Sequence, residues 1–415
     1  MHTSPPDHPE VHLVMRQFWP VLAGAAERME RHAPGLAQQG IRLWAHARLA
    51  QPTMAFEEES PRGVRVCRVA GEVEKSEVWD ACLFDALLRQ QGSRQVLAHQ
   101  VIQTNLAFRH TQGILRRLRS RGHPTVWMGS MMGDITEGMG FWRRFRERLR
   151  LRWLFSAFDA HVVGSQAMRR WLLDAWVPQH RIAVIGHGVD LKRFRPCEDE
   201  HERSKRRAEL GLPTSGPLIL MVGTMTQRKG VDLLLEAWPQ VRSQHPSAHL
   251  VLIGGTDRPT IVEAAQRARA ATHQQKLQSL MEPGLQAGSI IRHDAVDCIE
   301  HWMRVADLLV LASEREGVPN VVLEAMASGT PCLLTPFLGL PREELGPCGE
   351  AWHLCQRNSA AIAQEMNCLL ANANALPRWG RLAAEHAARN FALEDSVNAY
   401  ASLYRGLVDA RLSGA

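Results

Sequence analysis

The chain has 415 residues, 45% hydrophobic and 22% charged, with 49 Lys and Arg against 43 Asp and Glu and a net charge of +6. That length exceeds what one hydrophobic core usually serves, so two domains are expected. The composition is that of an ordinary globular protein, and its mild basicity favours anionic partners without amounting to a nucleic-acid signature. None of the eight cysteines (Cys67, Cys82, Cys197, Cys298, Cys332, Cys348, Cys355 and Cys368) shows C-x-x-C spacing, which argues against a zinc or redox centre and for a reducing compartment. The stretch from Met1 to Glu10 is polar and lacks the apolar core of a signal peptide. No apolar run approaches the roughly 20 residues of a membrane span. A cytoplasmic protein is expected.

Taken in chain order, Val11 to Pro20 reads as a strand, Val21 to Ala25 as a loop, Glu27 to Gln39 as a helix and Ile41 to His46 as the next strand. This βαβ opening argues for a parallel sheet covered by helices. Further strand candidates are Gln95–Ala98, Thr125–Met128, Ala160–Gly164 and Arg181–Ile185. Ser165 is placed to cap the helix after the third of these. A charged linker with a short helix, Asp199 to Leu210, spans about 192 to 216. A second βα series then begins at Leu218–Gly223 and continues through His249–Gly254, Ser289–Arg292, Leu308–Leu311 and Pro331–Leu334. The end, from Phe391, is one amphipathic helix. Two such domains create a cleft, the usual ligand site of doubly wound folds.

The chemistry concentrates in Glu316-Gly-Val-Pro-Asn-Val-Val-Leu-Glu324 and its continuation Ala-Met-Ala-Ser-Gly-Thr-Pro331. A buried strand precedes it and a helix starts near Asn320. The helix start offers unpaired N–H groups and a positive dipole end, which suit a phosphate. The carboxylates Glu316 and Glu324 suit sugar hydroxyls, because an ionised carboxylate only accepts hydrogen bonds. A nucleotide-sugar site needs both. A second loop, Gly223-Thr-Met-Thr-Gln-Arg-Lys-Gly230, follows another strand and places Arg228 and Lys229 beside a helix N-terminus, where they supply charge for a diphosphate. On spacing alone, each of these has a bland alternative: a Glu answering a helix dipole, a pair of solvated cations.

The Glu316–Pro331 string strongly resembles the signature of retaining glycosyltransferases of family 4 (glycosyl transferases group 1), which have the GT-B fold. The resemblance implies an α/β protein with two doubly wound Rossmann-like domains facing a central cleft. It assigns residues 1–190 to an acceptor-binding domain, with helix 393–413 packing back on it, and 191–392 to a donor-binding domain. It gives Glu316 to the donor sugar and Glu324 to the ribose. Gly317, Val318, Pro319, Asn320 and Val321 then form the helix start that receives the nucleotide. Gly223 opens the cationic loop, Lys229 matches its end, and Thr224 stands where an arginine is usual, leaving Arg228 as the candidate replacement. Gly24, in Pro20-Val-Leu-Ala-Gly24-Ala-Ala-Glu27, matches a Gly-rich loop whose backbone approaches the donor phosphate, with Ala23 where a second Gly is common. Val184 to Pro196 resembles the hinge segment, with Gly188 and Asp190 suited to a turn.

The acceptor side matches less well. A His is frequent in the family after the strand matching Thr125–Met128, whereas this chain reads Met128-Gly-Ser130-Met-Met-Gly-Asp134. Ser130, Asp134 and His99 are the candidates there, each with an equally simple structural role. The stretch Phe141 to Phe155 carries Arg143, Arg144, Arg146, Arg148, Arg150 and Arg152 against Glu147 alone. Trp142, Phe145, Leu149 and Trp153 fall on one helical face. Two readings stand side by side: an amphipathic helix on an anionic membrane surface, or a core-packed helix with a solvated arginine face.

The resemblance thus implies a metal-independent hexosyltransferase, with the sugar of a nucleotide diphosphate-sugar moved with retention to a glycan or lipid-linked acceptor in polysaccharide or glycolipid synthesis. The donor is a substrate, and no cofactor or nucleic-acid partner is implied. A peripheral place on the inner membrane face goes with the basic helix. The Thr224 and Ser130 departures keep open a catalytically inactive sugar-nucleotide-binding or scaffolding protein, and a sugar epimerase or phosphorylase on the same plan is a third reading.

Overall fold

A computed structural model describes residues 9–15, 18–20, 24–48, 54–69, 96–102, 115–129, 141–255, 264–372 and 374–413. The chain divides into two units, Met1–Gly188 with Leu393–Ala415, and Val189–Ala392.

The strands of the first unit are β1 (Glu10–Val14), β2 (Arg42–Arg48), β3 (Glu57–Glu59), β4 (Arg65–Val69), β5 (Val96–Ile102), β6 (Thr125–Gly129), β7 (Ala160–Val163) and β8 (Ile182–Val184). They form one sheet in the order β3-β4-β2-β1-β5-β6-β7-β8. All pairings are parallel except β3 with β4. Residues two apart on a strand share a face, so Val11 and Leu13 enter one core while Val14 enters the other. Likewise Val126 and Met128 oppose Trp127. The first core is closed by helix α1 (Gly24–Gln38), through Met29 and Leu36, and by the C-terminal helix Leu393–Ser413, through Tyr400 and Tyr404. Burying a side chain such as Leu36 contributes roughly 1.5–3 kcal/mol. Gly35 lets the two helices approach, since a Cβ there would sit 3.0 Å from Val397 Cγ1. The other core is closed by α2 (Phe141–Phe155) and α3 (Gln166–Asp174), the latter capped by Ser165, whose hydroxyl accepts from the Met168 amide.

Three departures from the sequence reading have physical causes. The first strand stops at Val14, because Trp19 and Pro20 form a turn and Pro20 has no N–H to continue a ladder. Strands β3 and β4 went unread, β3 being only three acidic residues on the sheet edge. On α2, the face bearing Trp142, Phe145, Leu149 and Trp153 is exposed, and it is Leu151, Leu154 and Phe155 on the opposite side that enter the core. The core-packed reading therefore fails for the aromatic stripe.

The second unit holds β9 (Leu218–Val222), β10 (His249–Ile253), β11 (Ile290–His293), β12 (Leu308–Leu311), β13 (Cys332–Leu334) and β14 (Trp352–Leu354), all parallel, in the order β11-β10-β9-β12-β13-β14. The chain winds outward from β9 to β11, then returns to the other side of β9 with β12. The boundary between β9 and β12 is therefore the topological switch point, where loops leave the carboxyl ends of the strands in opposite directions and ligands bind. Helix α4 (Val231–Gln244) follows β9 and packs Leu234, Leu235 and Trp238 on the sheet. Helix α5 (Asn320–Ala327) follows β12 and buries Val322, Leu323 and Met326. The linker helix is Glu200–Glu209, capped by Asp199, whose carboxylate accepts from the Glu202 amide at 2.7 Å.

Candidate functional site

The β9 and β12 loops meet at the switch point. After β9 the chain turns through Gly223 and a single 3₁₀ turn, Gln227–Lys229, before Gly230 starts α4. Gly230 has φ +65°, and a Cβ there would lie 2.2 Å from the Ala312 carbonyl oxygen, so only glycine lets the two loops touch. The contact is pinned by the Glu314 amide, which donates to the Arg228 carbonyl at 2.8 Å. Arg357 adds a brace, donating from Nε to the Ala312 carbonyl at 3.0 Å and from Nη2 to the Gln227 carbonyl at 3.4 Å.

This arrangement brings Glu316, Lys229 and Arg228 together. Glu316 is 8% exposed. Its Oε1 receives Lys229 Nζ at 2.6 Å, Arg228 Nη1 at 3.0 Å and the Ser313 hydroxyl at 2.8 Å. Burial works to raise the pKa of this carboxyl, but the Lys229 and Arg228 charges and the hydrogen bonds from Lys229 and Ser313 outweigh it and hold it below the ordinary carboxylate value. Glu316 is therefore an anion with three donors on one oxygen. Among the described residues its other oxygen takes no hydrogen bond and remains an acceptor for a ligand. Arg228 also donates to the Arg315 carbonyl, which fixes its guanidinium over the loop. Of the two cations Arg228 is the more exposed.

Next to this cluster α5 begins. Its cap position is Pro319, which offers no side-chain hydrogen bond, and no acidic residue lies in its first turn. The positive end of the helix is thus left for a ligand. Gly317, Val318 and Pro319 are buried in the turn before it, while Asn320 and Val321 are half-exposed on the first turn. Glu324 is buried on α5. Thr224 lies half-exposed beside Gly223, whose φ of +144° excludes a larger residue without strain. Gly24 belongs to the first unit, at the exposed start of α1 with open space where a Cβ would be. Ser130 and Asp134 lie outside the described residues, as does the side chain of His99 on β5.

Sequence reasoning passed over Ser313 and Arg357. Ser313 was visible as a hydroxyl just beyond β12, three residues before Glu316. Arg357, which follows β14, had no local signal at all, because its role comes from a strand that pairs only in the folded sheet.

Among the described residues, one group could hold a metal ion: Cys298, Glu300 and His301, with ligand atoms within 4.8 Å of one another. Cations already claim two of the three, with Arg193 Nη2 2.8 Å from Glu300 and Arg206 Nη1 3.2 Å from His301 Nδ1. No disulfide joins the cysteines of the described residues, and Cys332 is fully buried, its thiol pushed up by desolvation.

The Glycosyltransferase Family 4 profile matches residues 22–193, and the Glycosyl transferases group 1 profile matches residues 216–372. The chain belongs to glycosyltransferase family 4. Among relatives, this family 4 chain is 33% identical to the D-inositol 3-phosphate glycosyltransferase of Jonesia denitrificans over 168 residues, 39% of the chain and 36% of that protein. The match thus spans little more than a third of that relative's length. Sucrose-phosphate synthase from Thermosynechococcus elongatus superposes with a TM-score of 0.76 at 21% identity, covering 97% of this chain and 100% of the other. Anabaena HepE, solved in complex with UDP and glucose, superposes with a TM-score of 0.70 at 16% identity, covering 96% and 100%. At such identities these likenesses carry the fold, and the fold is GT-B, with two Rossmann-like units.

Proposed function

We propose that this family 4 chain transfers a sugar from a nucleotide diphosphate-sugar to an acceptor in glycan, polysaccharide or glycolipid synthesis, with retention and without a metal ion. The observation that carries this reading is the Glu316 carboxylate, fixed by Lys229, Arg228 and Ser313 at the switch point beside an uncapped helix start. A sugar hydroxyl donates to the open oxygen of Glu316. The diphosphate takes the α5 N-terminus, and Lys229 and Arg228 answer the charge that develops on it as the glycosidic bond breaks. These cations do the work a divalent ion would otherwise do. Glu324 anchors the ribose. The UDP in the HepE structure supports a nucleotide-sugar donor, and the cations and uncapped helix start at the switch point of the second unit support that unit as the donor half, leaving the first as the acceptor half. A thermal-shift panel of nucleotide-sugars tests it, because a bound ligand raises apparent stability. A donor that raises the melting temperature and releases its nucleoside diphosphate supports transfer. Binding without any release in the presence of acceptors favours the inactive reading.

We also propose a peripheral membrane site on α2. No helix among the described residues is long and apolar enough to cross a membrane. Trp142 is 74% exposed, and Phe145, Leu149 and Trp153 are exposed with it, among six arginines. Each basic residue near an anionic leaflet is worth about 1 kcal/mol. A variant with Arg143, Arg144 and Arg146 changed to Gln should lose binding to phosphatidylglycerol vesicles. Unchanged sedimentation with those vesicles removes the membrane assignment.

A further inference from the structure

The first unit buries a cation outside the Glu316 cluster. Arg28 lies on the second turn of α1 and is 3% exposed. Its guanidinium reaches the carboxyl-end edge of the sheet. There Nη1 meets His187 Nε2, beyond β8, and Nη2 meets Met128 Sδ, on β6. Its Nε has no partner among the described residues. A guanidinium stays charged in any protein environment, and a buried charge is costly unless an anion answers it.

No anion does so among the described residues. The carboxylates of α1 are engaged elsewhere, Glu27 with Arg31 at 2.7 Å and Glu30 with the Ser60 hydroxyl at 2.9 Å. His32, Met128, Tyr400 and Tyr404, which surround Arg28, bring no negative charge. His32 donates from Nδ1 to the Arg28 carbonyl at 2.7 Å and takes Ser396 on Nε2, and burial, with the Arg28 and Arg31 charges, pushes its pKa down to about 3. Met128 Sδ, a weak acceptor, is shared with the Tyr400 hydroxyl at 3.2 Å. Desolvation raises the pKa of Tyr400 and Tyr404, so they too remain neutral.

A planar fork of donors with no anion of its own, held at the carboxyl edge of a parallel sheet one turn inside a helix start, is a receptor for paired anionic oxygens. We propose that Arg28 binds a phosphoryl group of a ligand of the first unit. His187 is half-exposed and flanked by Gly186 and Gly188, so the approach runs from its side, and the phosphoryl oxygens replace its imidazole as the partner of Nη1. This proposal stands apart from the transfer reaction, since it requires phosphate binding whether or not the donor half turns over.

Thermal unfolding of the full chain, with inorganic phosphate titrated against chloride at constant ionic strength, tests it. The parent should gain about 2–4 °C at millimolar phosphate. Arg28→Met, which sets a similar apolar length beside Met128, should melt no lower than the parent without phosphate and should lose the gain. Arg28→Lys, which keeps the charge without the fork, should fold and show a smaller gain. Lys229→Met should retain the gain if the phosphate sits on Arg28. A gain that persists in Arg28→Met, or vanishes in Lys229→Met, overturns the proposal. So does a parent that ignores phosphate, or an Arg28→Met chain that melts several degrees lower in its absence, which would make Arg28 a purely structural cation.

Discussion

Among the described residues, the two units differ in how many neutral imidazoles they bury beside their paired charges. In the second, the buried carboxylate of Glu316 is matched within its own loops by Lys229, Arg228 and Ser313, and Asp307 is matched by Arg203 and Arg207. The first also pairs its buried arginines, Arg31 with Glu27 and Arg68 with Glu58, but its sheet and helices bury in addition several imidazoles that stay neutral. His12 and His46 share a hydrogen bond of 2.8 Å between β1 and β2, and burial lowers both pKa values. His32 is held to about 3 and His161 to about 4 by the same desolvation. The difference shows in acid: the paired carboxylate of Glu316 is held below its ordinary pKa, whereas the neutral buried imidazoles carry packing and a built-in sensitivity to acid.

The largest effect expected from breaking this contrast is at Lys229. Lys229→Met removes a preorganised cation and leaves Glu316 buried with Arg228 and Ser313 alone. Turnover of the donor should fall by about 10²–10³, as for loss of one oxyanion-hole donor. A kcat within threefold of the parent, measured by release of nucleoside diphosphate, would place the leaving group elsewhere.

Acid comes next and separates the units. A histidine whose folded pKa lies below the unfolded value of 6.5 gives up stability as pH falls from 6.5 toward the folded value, because the unfolded chain binds the proton first. For His32 and His161 that window runs down to about 3 and about 4, with a cost on the order of a few kcal/mol each at its lower end. Glu316, with a folded pKa below 4.5, keeps its contribution above that value and loses it only as pH falls further. His249, His273 and His353 of the second unit are also lowered by burial, but less far. Hydrogen exchange read segment by segment should therefore show β1, β2 and β7 losing protection between pH 6 and 4 before β9 and β12 do. Simultaneous loss in both units would erase the distinction.

The smallest effect is at Ser313. Ser313→Ala removes one hydrogen bond to Glu316, worth about 1 kcal/mol, and should lower kcat/KM roughly fivefold without moving the melting temperature by more than a few degrees. A change as large as that of Lys229→Met would mean that Ser313 touches the substrate itself.

Much of the second unit was legible because its signals are local. A buried strand, a glycine, a charged loop and a helix start occur in sequence twice, and each motif contains its own geometry. What was not legible depends on contacts between distant segments. Arg357 acts through β14, which is three residues long and joins the sheet by pairing with β13. On α2 the 3.6-residue period correctly grouped Trp142, Phe145, Leu149 and Trp153, but period cannot say which of two apolar stripes meets the sheet. Arg28 lay inside a helix whose pattern was plain. Its burial follows from the C-terminal helix closing over it from hundreds of residues away, which no window on the sequence contains.

The account rests on Glu316 as the carboxylate that grips the donor. Release of nucleoside diphosphate from a nucleotide-sugar identified by the donor panel, compared between the parent and Glu316→Gln, tests this most directly. The variant keeps the side-chain volume but replaces the anion with a neutral amide, and its kcat/KM should fall about 10- to 100-fold, the worth of one hydrogen bond to a charged group. Release at the parental rate by a correctly folded Glu316→Gln chain would contradict the account.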